Sequence, residues 1–168
     1  MLRLLLLTLL GALSLGSATT YGVLSLDDML GRSQIAFYGR VLQIETVSQD
    51  GEPWTEVSFE ILEGLKGTGE ANDLSLRFYG GTSDDGRTVT VSLMPQFNLD
   101  ENVLILAYDG DYYSPIVGFR QGLWRETALG FESETGDLLS LLDGELSLSG
   151  SGADRSELLS RLAESLNP

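Results

Sequence analysis

The chain of 168 residues is 42 % hydrophobic, enough apolar mass for one packed core and too much for a wholly disordered chain. Its 10 basic and 25 acidic residues sum to −15, a charge that repels phosphate backbones and anionic headgroups and argues against nucleic acid as a partner. Cysteine and histidine are absent, which removes disulfides, thiolate and imidazole metal sites, a lipid-bearing cysteine, and any Ser-His-Asp or Cys-His catalytic group.

Residues 1–18, MLRLLLLTLLGALSLGSA, carry Arg3, an apolar run from Leu4 to Leu15, and the small residues Gly16 and Ala18. This is the form of a secretory signal peptide, too short for a comfortable membrane span. Export to the periplasm, cell surface or medium is expected, with a mature chain that starts near Thr19 and has no transmembrane segment. Loss of Arg3 leaves 9 basic against 25 acidic residues, or −16.

From Leu24 to Leu30 the pattern predicts two helical turns, with Ser25 as N-cap, Asp27 and Asp28 in the first turn, and Gly31 as the stop. Gln34 to Val47 reads as a long strand, apolar at Ile35 and Phe37 before Gly39 and at Leu42 and Ile44 after Val41, so its phase slips at the glycine. Asp50-Gly51 centres a hairpin turn. In the next strand Val57, Phe59 and Ile61 alternate with Glu56, Ser58 and Glu60, and Lys66-Gly67 closes it.

Leu74, Leu76 and Phe78 make a further strand that ends at Gly80-Gly81, and Val89, Val91 and Leu93 predict another after the loop from Thr82 to Gly86. Met94-Pro95-Gln96-Phe97 leaves the sheet. Val103 to Ala107 is a continuous apolar run, as in a strand buried on both faces. Asp109-Gly110-Asp111 is a turn, Leu129 to Phe131 a weaker β region, and Asp143-Gly144 a second hairpin. Ser149 to Gly152 reads as a flexible joint, followed by a helix from Asp154 to Leu166 with an apolar stripe of Leu158, Leu159, Leu162 and Leu166. The expected fold is mainly β, a small barrel of about six or more strands with a short N-terminal helix and a C-terminal amphipathic helix. The division is signal peptide at 1–18, barrel at 19–148, and joint with helix at 149–168.

Ser33 to Trp124 resembles a domain of exported bacterial proteins of unassigned function. The matching positions are Lys66-Gly67, Gly80-Gly81, Pro95 with Phe97, Glu101 before Val103 to Leu106, and Gly118 with Gln121-Gly122; Asp100 stands where that family usually has glycine. The resemblance implies an OB-like barrel of the netrin-like kind, the class that includes tissue inhibitors of metalloproteinases, and through it a protein partner. Those inhibitors place an N-terminal cysteine on zinc, a step closed to this chain.

Among reactive groups only carboxylates remain, and a glycosidase needs two of them across a cleft. Their positions on alternating strand faces and in turns read as solvent-facing, so no catalytic residue is assigned. Calcium is the one candidate ion, at Asp84-Asp85 or Asp109-Gly110-Asp111, although neither has the spaced ligands of a calcium loop and both read first as turns; no metal site and no cofactor is assigned. Tyr79, Tyr108, Tyr112, Tyr113 and Trp124 are candidates for a sugar or peptide groove, and Arg120 and Arg125 for a recognition patch with Gln121 and Trp124. The predicted partner-contact residues are Tyr79, Arg120, Gln121 and Trp124. The function expected is a non-enzymatic module that binds a protein or glycan of the envelope or the medium. The alternatives are a carboxylate-based secreted hydrolase and a calcium-assisted cell-surface protein.

Overall fold

A computed structural model describes residues 22–148 and 153–168. The expected signal peptide, the start near Thr19 and the joint from Ser149 to Gly152 lie outside the described residues. The chain is mainly β, with helices α1 (Leu26–Arg32) and α2 (Arg155–Leu166) at its two ends. Between them run β1 (Ile35–Gln49), β2 (Glu52–Lys66), β3 (Asp73–Tyr79), β4 (Gly81–Thr82), β5 (Thr88–Val89), β6 (Asn102–Ala107), β7 (Leu123–Thr127), β8 (Gly130–Ser133), β9 (Leu138–Leu142) and β10 (Glu145–Ser147).

Eight strands form one antiparallel sheet in the order β10-β9-β8-β7-β6-β1-β2-β3, and β4 pairs with β5 as a separate ribbon. β10 and β3 are therefore edges, and the ladders do not close into the expected barrel. A partial closure remains. The segment after β6 turns back along it, with an isolated bridge between Ala107 and Ile116, and the Tyr79 N–H at the end of β3 donates to the Tyr113 carbonyl at 2.7 Å.

Alternation along β6 divides the interior in two. Leu104 and Leu106 point to a core shared with α1, α2, Ala36, Tyr38 and Trp124, whereas Val103, Ile105 and Ala107 point to one shared with Phe37, Val41, Val57, Phe59, Leu76 and Phe78. A run without polar positions thus serves two cores at once. Asp154 caps α2 by accepting from the Glu157 N–H at 3.2 Å, and all four stripe leucines are buried in the first core. Each contributes roughly 1.5–3 kcal/mol.

Both Asp-Gly hairpins form as the sequence predicts. Gln49 pairs with Glu52 around Asp50 (φ 51°) and Gly51 (φ 80°), and Leu142 with Glu145 around Asp143 (φ 54°) and Gly144 (φ 82°). These left-handed pairs match the twist of the strands they join. Asp100 takes φ 64°, with its N–H on the Val41 carbonyl at 2.9 Å.

Three expectations of local structure need correction. Gly31 lies inside α1, which ends at Ser33 with its N–H on the Leu30 carbonyl. The phase slip in β1 falls at Leu42 rather than Gly39: Val41 pairs with Phe59 and Gln43 with Ser58, so Leu42 is bulged out and 48 % exposed, and Ile44, also exposed, opposes Val57 on the inner face. The irregularity beside Gly39 belongs to β2, where Leu62 is skipped between the pairs Tyr38 with Glu63 and Gly39 with Ile61. Finally, the strand expected over Val89 to Leu93 is cut to Thr88–Val89, since Gly81–Thr82 offers it only two pairing positions, and Leu93 takes φ 67° before Pro95.

Candidate functional site

The predicted contact residues separate into two places. Arg120, Gln121 and Trp124 line a cavity of about 340 Å³ with Leu24, Met29 and Leu148, where α1 meets the turn before β7. Their polar groups are largely committed to structure. Gln121 accepts from the Leu24 N–H at 2.8 Å and donates to the carbonyls of Gly22 (3.1 Å) and Gly118 (3.3 Å), so it staples the segment before α1 to this turn. Arg120 holds Glu134 at 2.8 Å, and Arg125 reaches the same carboxylate at 3.5 Å and Glu101 at 3.3 Å. Trp124 is 1 % exposed in the first core, and its indole N–H has no hydrogen-bond partner among the described residues.

Tyr79 belongs elsewhere. It opposes Trp54 across the β2–β3 ladder with ring centroids 5.2 Å apart, and Tyr113 packs on both, 4.8 Å from Tyr79 and 6.1 Å from Trp54. Burial, reinforced by the Glu52 carboxylate that accepts from its hydroxyl at 3.3 Å, raises the Tyr79 pKa. Tyr108 and Tyr112 form a second pair at 4.8 Å. Of the aromatic residues expected to share a groove, Trp124 is buried in the first core and Tyr108 packs partly buried against it. Tyr112 (47 % exposed) and Tyr113 (64 %) present rings to solvent.

Beside these rings a groove of about 390 Å³ runs along the outer edge of β3. Ile35, Leu74 and Leu76 give it an apolar lining, the turn Asp109-Gly110-Asp111 and Tyr112 face it from the segment after β6, and Trp54, Glu56 and Arg77 complete it. Arg77 Nε is 2.6 Å from the Glu56 carboxylate, so the one basic side chain there is already neutralised. Asp109 and Asp111 have no such partner among the described ion pairs. The site therefore joins apolar surface, aromatic faces, uncompensated negative charge and an unpaired strand edge.

The strongest coupling of titratable groups lies away from this groove. Burial opposes the charge of Glu126, but hydrogen bonds from the Tyr38 hydroxyl (2.7 Å), Asn102 Nδ2 (2.8 Å) and Arg155 Nη1 (2.8 Å) outweigh it and hold its pKa below the ordinary carboxylate range. Burial, with the same carboxylate beside it, pushes the Tyr38 hydroxyl up to about 12. Arg155 opens α2 and sits 5.5 Å over the Tyr38 ring, so the cluster ties that helix to β1 and β7. Asp28 and Asp85 are likewise lowered, by the hydroxyls of Ser25 and Ser83. Asp85 also accepts from the Arg87 N–H, which makes Asp84-Asp85-Gly86 part of a closed turn. Among the described residues no three acidic side chains converge as a metal site, and no helix is long and apolar enough to cross a membrane.

The sequence had pointed to Tyr79 and the other tyrosines but not to Trp54 or to the backbone of β3. The alternation Leu74-Ser75-Leu76-Arg77 fixes which side chains face inward; which strand stands at the sheet's edge is a property of the whole topology. No protein-family model matches the chain, and no curated protein matches it.

Proposed function

We propose that this chain is an exported, non-enzymatic interaction module, OB-like and netrin-like in kind, that engages a protein or glycan partner of the cell envelope or the medium through the groove along β3. One observation carries it: the exposed rings of Tyr112 and Tyr113 stand beside an unpaired strand edge and the acids Asp109 and Asp111. Aromatic faces at a desolvated centre with charged residues around them are the usual anchors of recognition surfaces. The apolar run from Leu4 to Leu15 supports export. A hydrolytic acid needs a raised carboxyl pKa, whereas the carboxylates that depart from the ordinary value, Asp28, Asp85 and Glu126, all move down.

The test is retention of envelope and culture-fluid components on the immobilised mature chain, from Thr19 onward, with and without calcium. The double variant Tyr112→Ala/Tyr113→Ala is run beside the wild type. A component held stoichiometrically by the wild type is expected to fall at least about 10-fold on the double variant, a loss typical of removing central aromatic contacts. Equal retention on both proteins, or none on either, would overturn the reading.

A further inference from the structure

We infer that β3 takes up an extended peptide segment as an added strand, one in which basic and apolar side chains alternate. This rests on the groove being an interaction site, and it names the occupant.

The backbone supplies the first step. In an antiparallel ladder the N–H and C=O of one residue point to the same side, and successive residues alternate. Tyr79 sends its N–H outward to Tyr113, and the register from Glu60 with Asp73 to Trp54 with Tyr79 runs without a shift. Asp73, Ser75 and Arg77 therefore also point their backbone groups outward, away from β2. Among the described residues, the bond from Tyr79 is the only backbone hydrogen bond on that side of β3.

Exposed edges are ordinarily blunted by lysine, proline, a bulge or shortness. β10, the other edge of the sheet, is three residues long. β3 has seven residues, no proline, no lysine and no bulge, and its arginine is paired with Glu56. The open stretch from Asp73 to Arg77 matches an added strand of roughly five residues at about 3.3 Å each.

Charge selects the occupant. Asp109 and Asp111 face the groove, Asp73 begins the strand, and the chain as a whole carries −15. A basic segment is drawn in and an acidic one repelled. The side chains of an added strand alternate between two surroundings. One set falls on the face of Leu74 and Leu76, with Ile35 beyond, and the other on the face of Glu56 and Ser75. Apolar residues suit the first face and basic residues the second.

The probes are two blocked five-residue peptides, one alternating lysine with valine and one alternating glutamate with valine, titrated into the mature chain by calorimetry. The lysine peptide is expected to bind and the glutamate peptide to show no heat. Ser75→Pro removes an outward N–H and places a ring on the edge, while Leu74, Leu76 and Phe78 keep the ladder to β2; proline is tolerated at such edge positions. It should weaken the lysine peptide at least about 10-fold. Asp109→Asn/Asp111→Asn, which leaves the strand untouched, should weaken it about 3- to 10-fold and flatten its salt dependence. Absence of binding to the wild type, or equal binding to both folded variants, would overturn strand addition. If the lysine peptide fails while a component still depends on Tyr112 and Tyr113 and survives Ser75→Pro, the groove recognises a glycan or another surface, and the interaction reading stands without the added strand.

Discussion

Replacing Phe59 by alanine is expected to lower the unfolding free energy by about 3–5 kcal/mol. Its ring is fully buried at the centre of the second core, edge-on to Phe37 at 5.4 Å and to Phe97 at 5.6 Å, on the β2 position that opposes both Val41 and Leu74. Truncation removes the transfer free energy of the ring and leaves a cavity between strands that bulges have already fixed in register. Backbone on either side has little room to close it. For a domain with roughly 5–15 kcal/mol of stability, that is a large fraction of the whole. Urea unfolding at constant m-value reads it directly. A loss below about 1 kcal/mol would mean that the two-core arrangement is wrong around β2.

Gly67→Ala is the second large effect, at about 2–4 kcal/mol. Gly67 has φ 67°, a left-handed conformation, and a Cβ there would lie 2.2 Å from the Gln34 carbonyl oxygen and 3.2 Å from its carbon. Strain and clash act together, because the backbone it meets is the entry to β1 and the Gln34 N–H is itself tied to the Ala107 carbonyl at 2.9 Å. Gly51 supplies the comparison. It has φ 80° but nothing within 4 Å of its added Cβ, so Gly51→Ala should cost only the conformational term, about 1 kcal/mol. Equal losses for the two variants, measured by the same unfolding curves, would remove the close approach as the reason for glycine after Lys66.

Those two sites also show where the sequence was legible. Alternation placed Val57 and Phe59 inward, the continuous run from Val103 to Ala107 marked a doubly buried strand, and the leucine spacing with Asp154 defined α2. Each of these signals is local, since side-chain periodicity and caps depend on a few neighbouring residues. The bulges were not legible. Leu42 and Leu62 are skipped because β1 and β2 must bend around two cores together, and a glycine nearby drew the expectation to Gly39. The Val89 to Leu93 alternation is a sound strand pattern that finds no partner strand beyond Gly81–Thr82, so pairing overrides propensity.

The candidate site divides along the same line. Arg120, Gln121 and Trp124 are neighbours in sequence and remain neighbours in space, yet they serve, in that order, an ion pair, a staple and a core. Trp54, Tyr79 and Tyr113 come from three segments and meet only because β2 pairs with β3 and the Tyr113 carbonyl caps the end of that strand. Composition supplied the negative charge of the groove, and topology supplied its open edge.

That open edge is tested most directly by amide hydrogen exchange, resolved residue by residue in the free mature chain. The N–H groups of Ser75 and Arg77 should exchange at least about 100-fold faster than those of Leu74, Leu76 and Phe78, with Tyr79 protected through Tyr113. Protection of Ser75 and Arg77 equal to that of Leu76 would contradict it, since β3 would then already have a partner on its outer side.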